Sequence, residues 1–247
     1  MTLYDRIGGG YAAFRRPDPR IASALAMALG DAESVVNVGA GTGSYEPRER
    51  RVIAVEPSET MIRQRSPEAA PCVRGWAEAL PLETGSVDAA LAILTVHHWS
   101  DVEDGFREMA RVARKRVVVL TWVPDCAAFW LTEDYFPEIA EHDRTVFPGD
   151  AALRTLLERT IGRVRMSPVP IPHDCIDGFL CAYWRRPEAY LCPERRSAIS
   201  SFARIDAGPG LARLGADLSS GRWLEKNGAL TELDALDLGY RLVCCDL

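Results

Sequence analysis

The sequence predicts an α/β fold built on a doubly wound parallel sheet, and three observations carry that expectation. From residue 18 to residue 122, short β-branched runs alternate with amphipathic stretches, the order that parallel strands joined by crossover helices require. One run, residues 35–38, ends abruptly in Gly39, Gly41 and Gly43. Another, residues 87–94, is apolar almost throughout, as a strand buried on both faces must be.

Residues 1–17 form a polar, glycine-rich lead containing Tyr4, Tyr11 and Arg16. Asp18 and Pro19 then read as the cap and first residue of a helix, with Ile21, Leu25 and Leu29 inward and Gly30 as its end. Val35-Val36-Asn37-Val38 reads as a buried strand, and the glycines as the turn at its carboxyl end. Glycine suits that turn because a ligand can approach the backbone without meeting a Cβ, and positive φ is open to it. A second short strand, residues 52–55, ends at Glu56, where an acidic side chain can accept hydrogen bonds from both hydroxyls of a ribose. Pro57-Ser58 starts a helix running to about Gln64, with Met61 one turn inside it. Residues 72–75 are a short third strand followed by the loop Trp76-Ala77-Glu78.

The central strand ends in Thr95-Val96-His97-His98-Trp99, and strand alternation predicts that the two histidines point opposite ways. Ser100 with Glu103 reads as a capping box, opening a helix that finishes in Arg111, Arg114, Lys115 and Arg116. Residues 117–122 are the fifth strand. After Pro124 the pattern breaks. Residues 124–148 carry Phe129, Trp130, Tyr135, Phe136 and Phe147 without a clean period, and a helix starting at Asp150 follows. A sixth strand is expected over 163–170, helices over 176–184, 193–205 and 211–218, and a closing strand over 238–245. The expectation is a single domain spanning 1–247, with lid segments at about 124–148 and 171–226.

Composition narrows the function. A net charge of −6 and a pI near 5.4 give no electrostatic footprint for nucleic acid or an anionic membrane. No apolar run approaches the roughly 20 residues of a membrane span, and the first residues are no secretory signal. Seven cysteines, odd in number and without a C-x-x-C pair, read as reduced thiols of a cytoplasmic protein. No H-E-x-x-H spacing occurs, and no metal is expected.

Ligands in open α/β sheets bind outside the carboxyl ends of the strands. That rule gathers Gly39–Gly43, Glu56, Trp76–Glu78, Leu94–His98, Trp122 and His173–Asp177 on one rim. Of the four histidines, His98 and His173 are the candidate general bases. The glycines are spaced G-x-G-x-G, not the G-x-G-x-x-G of dinucleotide binding, since Ser44 stands at that fingerprint's third position; no G-x-x-x-x-G-K-[ST] loop occurs either.

With its glycine loop, its acid at Glu56, its Trp76-Ala77-Glu78-Ala79-Leu80-Pro81-Leu82 run and its Ser86-Val87-Asp88 run, the first half resembles the class I S-adenosylmethionine-dependent methyltransferases. Within them it is most similar to the small-molecule branch of the ubiquinone-biosynthesis type, methyltransferase type 11. The resemblance implies a Rossmann-like sheet of seven strands with a reversed last strand, S-adenosylmethionine as cofactor and S-adenosylhomocysteine as product. It implies cofactor contacts from Gly39, Ala40, Gly41, Thr42, Gly43, Glu56, Pro57, Met61, Trp76, Ala77, Glu78, Leu94 and Thr95, and from Tyr11 and Arg16 of an N-terminal segment folded over the cofactor. Many relatives carry Asp where Trp76 stands, so an indole beside the adenine would replace a side-chain hydrogen bond. The expected acceptor is a small molecule, methylated on oxygen ahead of carbon or nitrogen. The alternatives are a tRNA or protein methyltransferase and a non-catalytic cofactor-binding module.

Overall fold

The computed structural model describes residues 14–247. Among these, seven strands form one sheet: β1 (Ser34–Val38), β2 (Arg51–Glu56), β3 (Cys72–Arg74), β4 (Val87–Ile93), β5 (Ala113–Trp122), β6 (Val164–Pro168) and, last in the chain, a strand at Tyr240–Asp246. Ile171–Pro172 (β7) and Ala235–Leu236 (β8) pair separately as a small antiparallel sheet, so the last strand is β9. The order across the large sheet is β3-β2-β1-β4-β5-β9-β6. Strands β1 to β5 run parallel, and β9 is antiparallel to both β5 and β6. Being antiparallel to both neighbours, that reversed strand needs no crossover connection.

Helices cover both faces. Alternate residues of the central strands point to opposite sides, which divides the interior in two. Val35, Leu91 and Val118 join Ile21, Leu25 and Leu29 of α1 (Pro19–Leu29) and the aromatic residues of the second half. Val36, Ala90 and Val117 join Phe106 and Met109, on a helix at Val102–Val112, and Leu153 and Leu157, on a helix at Asp150–Thr160. In chain order these and the remaining helices are α2 (Glu59–Arg63), α3 (Val102–Val112), α4 (Pro137–Val146), α5 (Asp150–Thr160), α6 (Pro193–Ser197), α7 (Gly208–Ser220) and α8 (Arg222–Asn227).

Several boundaries differ from expectation, each for a local reason. The cap of α3 is Asp101, whose carboxylate accepts from the Asp104 N–H at 3.0 Å; Ser100 is turned to Glu78 instead. Helix α3 stops at Val112 because Ala113 already pairs with Val87, so Arg114, Lys115 and Arg116 lie in β5. The expected helix over 176–184 is a single 3-10 turn, Leu180–Tyr183, and the one over 193–205 splits into α6 and the 3-10 turn Ser200–Arg204. Residues 179–184 are all buried, so no polar stripe is left to set a helical face. Trp130 anchors this half: its ring N–H donates to the Trp184 carbonyl at 2.8 Å, and its ring packs edge-on against Tyr190 and Trp223. Among the described residues no helix is long and apolar enough to cross a membrane.

Candidate active site

The carboxyl ends of β1, β2 and β4 open into a cavity of about 510 Å³. Gly39 and Gly41 shape its floor. Gly39 has φ +67°, and a Cβ there would lie 2.1 Å from the Thr95 hydroxyl oxygen. Gly41 has φ +53°, and its N–H donates to Glu56 Oε2 at 2.8 Å. The other carboxylate oxygen of Glu56 accepts from the Ser58 N–H at 2.9 Å. The loop backbone thus fixes Glu56 at the cavity wall. Asn37 interrupts the apolar run of β1; its Oδ1 is buried, has no hydrogen-bond partner among the described residues, and its side chain lines the same cavity.

Of the residues expected at the cofactor, Gly39, Ala40, Gly41, Thr42, Glu56, Pro57, Met61, Trp76, Ala77, Glu78, Leu94 and Thr95 line this one cavity. Gly43 lines a different surface depression behind the loop. Arg16 is exposed and does not line the cavity, whereas its neighbour Arg15 does. Tyr11 lies outside the described residues. The Glu78 carboxylate also accepts from the Ser100 N–H and hydroxyl at 2.6 and 2.8 Å; burial acts upward on its pKa, but these bonds outweigh it and hold it low. Trp76 stays half-exposed at the cavity edge, with the Arg74 guanidinium 5.9 Å from its ring centre.

Arg15, Tyr45 and Asn37 were not read from sequence as site residues. Arg15 donates to Asp177 at 2.6 Å, and the Tyr45 hydroxyl donates to the other oxygen of Asp177 at 2.9 Å while accepting from the Asp18 N–H at 3.1 Å. This network, with Asp177 wholly buried, ties the N-terminal segment and the second half of the chain to the glycine loop. Burial, then the Asp177 charge, pushes the Tyr45 phenol far above its ordinary pKa, so it stays a donor. Tyr45 and Leu94 are also the non-glycine residues with positive φ among those described, at 62° and 51°, and both line the cavity. Such strain concentrates where a site over-determines its backbone.

Past Leu94, His97 and His98 the cavity continues into a side chamber of about 70 Å³. Its walls are aromatic: Trp122, Phe147, Phe179 and Tyr240, with the Phe179 and Tyr240 ring centres 4.8 Å apart. Arg15, Val146 and Arg204 border both spaces. The two histidines do not diverge. Residues Val96–His98 form a 3-10 turn rather than a strand end, which sets the imidazoles side by side with ring centres 3.8 Å apart. Burial, then the charges of Arg204 and Arg15, lowers the His98 pKa to about 4. His98 is therefore neutral at pH 7. His173 lines neither space: it lies in the turn just after β7, its N–H donating to the Asp234 carbonyl at 2.9 Å. Strand β6 is the sheet edge, beyond β9, so the turn after it starts three strands away from β4 across the sheet.

Of the predicted lid, the residues that line the two spaces fall at 142–147, 179–180 and 198–204. Helices α7 and α8 contribute none.

Comparison with known proteins agrees with this geometry. Residues 36–121 match the family described as Methyltransferase domain. A solved structure from Anabaena variabilis, a presumptive methyltransferase from an antibiotic biosynthesis pathway, is 38% identical, covers 95% of this chain and 99% of its own, and superposes with a TM-score of 0.87. An uncharacterised methyltransferase of Mycobacterium tuberculosis is 39% identical over 90 residues, 34% of this chain and 36% of its own length. The tRNA (carboxymethyluridine(34)-5-O)-methyltransferase of mouse is 29% identical over 130 residues, 49% of this chain and 19% of its own. The chain thus spans well under half of the curated relatives it matches. A glycine cradle, an acid fixed beside it and near full-length similarity to the Anabaena protein lead to one conclusion: the chain belongs to the class I S-adenosylmethionine-dependent methyltransferases.

Proposed function

We propose that this methyltransferase acts on a small molecule, on oxygen ahead of carbon or nitrogen, with the acceptor seated in the side chamber. The observation that carries the reading is that chamber: the cavity's far side narrows into an aromatic-walled recess of about 70 Å³. A recess of that size and aromatic lining suits part of a small, flat molecule. The acidic net charge supports the same reading, as does the pathway ascribed to the Anabaena relative.

When bound, S-adenosylmethionine supplies a methyl group on a positively charged sulfur. The chain's own residues hold and orient the two partners. Glu56, fixed at the cavity wall by the N–H groups of Gly41 and Ser58, would accept from the ribose hydroxyls. Asn37 Oδ1 accepts from the amino group, which answers its missing partner. Trp76 and Ala77 flank the adenine, Gly39–Thr42 admit the amino-acid end, and Leu94 and Thr95 back the methyl group. Arg15 borders the cavity where the resemblance expected Arg16. Neutral His98 can accept a hydrogen bond at the junction of the two spaces. Holding the reacting atoms in line is the largest contribution open to such a site.

The test is release of S-adenosylhomocysteine from the purified chain, offered S-adenosylmethionine with small hydroxylated, carboxylated and amino compounds in parallel with tRNA. Turnover with a small compound and none with tRNA is expected. The reverse would transfer the assignment to a macromolecule.

A further inference from the structure

Five acidic side chains are buried among the described residues: Asp18, Glu56, Asp88, Asp143 and Asp177. Four are held. Asp18 bonds Arg20, Glu56 bonds the N–H groups of Gly41 and Ser58, Asp88 bonds Arg114 and the N–H groups of Glu33 and Ser34, and Asp177 bonds Arg15 and Tyr45. Asp143 differs. It sits on α4, is 3% exposed, and its Oδ2 has no hydrogen-bond partner among the described residues. It is also the acid that lines the side chamber.

A buried carboxyl with no donor among the described residues loses its hydration and recovers no hydrogen bond in exchange. Its placement in the acceptor chamber implies that the missing donor arrives with the ligand. The surrounding walls are the rings of Trp122, Phe147, Phe179 and Tyr240, which suit a flat apolar body. A carboxylate acceptor would set two like charges against each other there. Burial pushes the Asp143 carboxyl up to about 7, with Arg204 pulling the other way. A proton acceptor serves best when its pKa lies near the working pH, a condition that His98, at about 4, does not meet.

We infer that Asp143 receives the proton of a phenolic hydroxyl on the methyl acceptor, so that this enzyme O-methylates a hydroxylated aromatic molecule. The inference rests on the small-molecule reading above. As the O–H bond breaks, its proton passes to Asp143 Oδ2, and the freed oxygen pair forms the bond to the methyl carbon. The electron pair of the carbon–sulfur bond stays on sulfur, leaving S-adenosylhomocysteine and an aryl methyl ether. Asp143 returns the proton to water as product leaves. The charged and titratable groups around it come from every side: Arg204 from the 3-10 turn Ser200–Arg204, Arg15 from the N-terminal segment, His97 and His98 from the turn after β4, and His142 from α4 itself. The Cys181 thiol and the Tyr240 phenol complete the set, and burial holds both protonated at neutral pH.

The experiment is a carboxyl ¹³C NMR titration of the full chain saturated with S-adenosylhomocysteine, with phenol and benzoate as probes. The Asp143 resonance is assigned by its loss in D143N, or in D143A should the first variant not fold. A midpoint near pH 7 is expected, falling by half a pH unit or more with phenol, whose O–H stabilises the ionised carboxylate, and not falling with benzoate. D143N should bind phenol several-fold more weakly and S-adenosylhomocysteine as the wild type does. A midpoint below pH 5, or no response to phenol, overturns the inference. Calorimetry on the same sample separates the two levels: bound S-adenosylhomocysteine with an unresponsive Asp143 removes only this inference, whereas no cofactor binding removes the reading beneath it.

Discussion

Gly39 and Thr95 leave the ends of neighbouring strands and compete for the same space. A methyl group on Gly39 would enter the Thr95 side chain, and φ of +67° strains any other residue there. Gly39→Ala should therefore lower the urea midpoint, corresponding to about 1–3 kcal/mol, and weaken cofactor binding with it. Asp143 carries an opposite signature. Its folded pKa is raised to about 7, above an ordinary value near 3.8, so the folded state binds the extra proton between those limits. Stability from this group is therefore greatest at low pH and falls as pH rises through 7. Asp143→Asn should flatten that slope and make the chain more stable than wild type at pH 8, by about 1–3 kcal/mol, in thermal or urea unfolding. Asp88 has the reverse sign. Its bond to Arg114 holds the carboxyl well below the usual range, so its contribution is present above about pH 4 and lost on further acidification. Asp88→Asn should weaken the fold at pH 7, and by progressively less as pH falls below 4. Asp143 was not legible in the sequence because it stands in the run Glu141-His142-Asp143-Arg144, which reads as a solvated helix face. Only the packing of the second half turns it inward.

At the scale of elements, legibility follows periodicity. Strands β1, β2, β4 and β5 and helix α1 appear where β-branched runs and apolar spacing put them, since each buries regularly spaced apolar residues. The second half gave weaker signals. Its short turns bury side chains all round, as over residues 179–184, so neither a 3.6 nor a 2.0 period survives. The site divides the same way. The glycine loop and Glu56 are local features of one strand–turn–strand stretch, whereas Arg15, Arg204 and Asp143 meet only through tertiary packing. Hydrogen exchange should reflect this division. S-adenosylhomocysteine should protect amides at 39–45, 56–58 and 94–98, acceptor should add protection at 142–147 and 198–204, and the interior of β4 and β5 should change little. Uniform protection of the whole chain would contradict a lid confined to those segments.

For the molecule as a whole, the sheet order brings three strand ends to one rim, and the N-terminal segment and second half are latched to it through Asp177. The central claim is that this rim binds S-adenosylmethionine with Glu56 on the ribose. Calorimetric titration of S-adenosylhomocysteine into the full chain and into E56A tests it most directly. One site is expected in the wild type and a loss of about 1.5–3 kcal/mol in the variant, the range for a hydrogen bond to a charged group. That loss is roughly 10- to 150-fold in affinity. Equal binding by both chains, or none by the wild type, would contradict it.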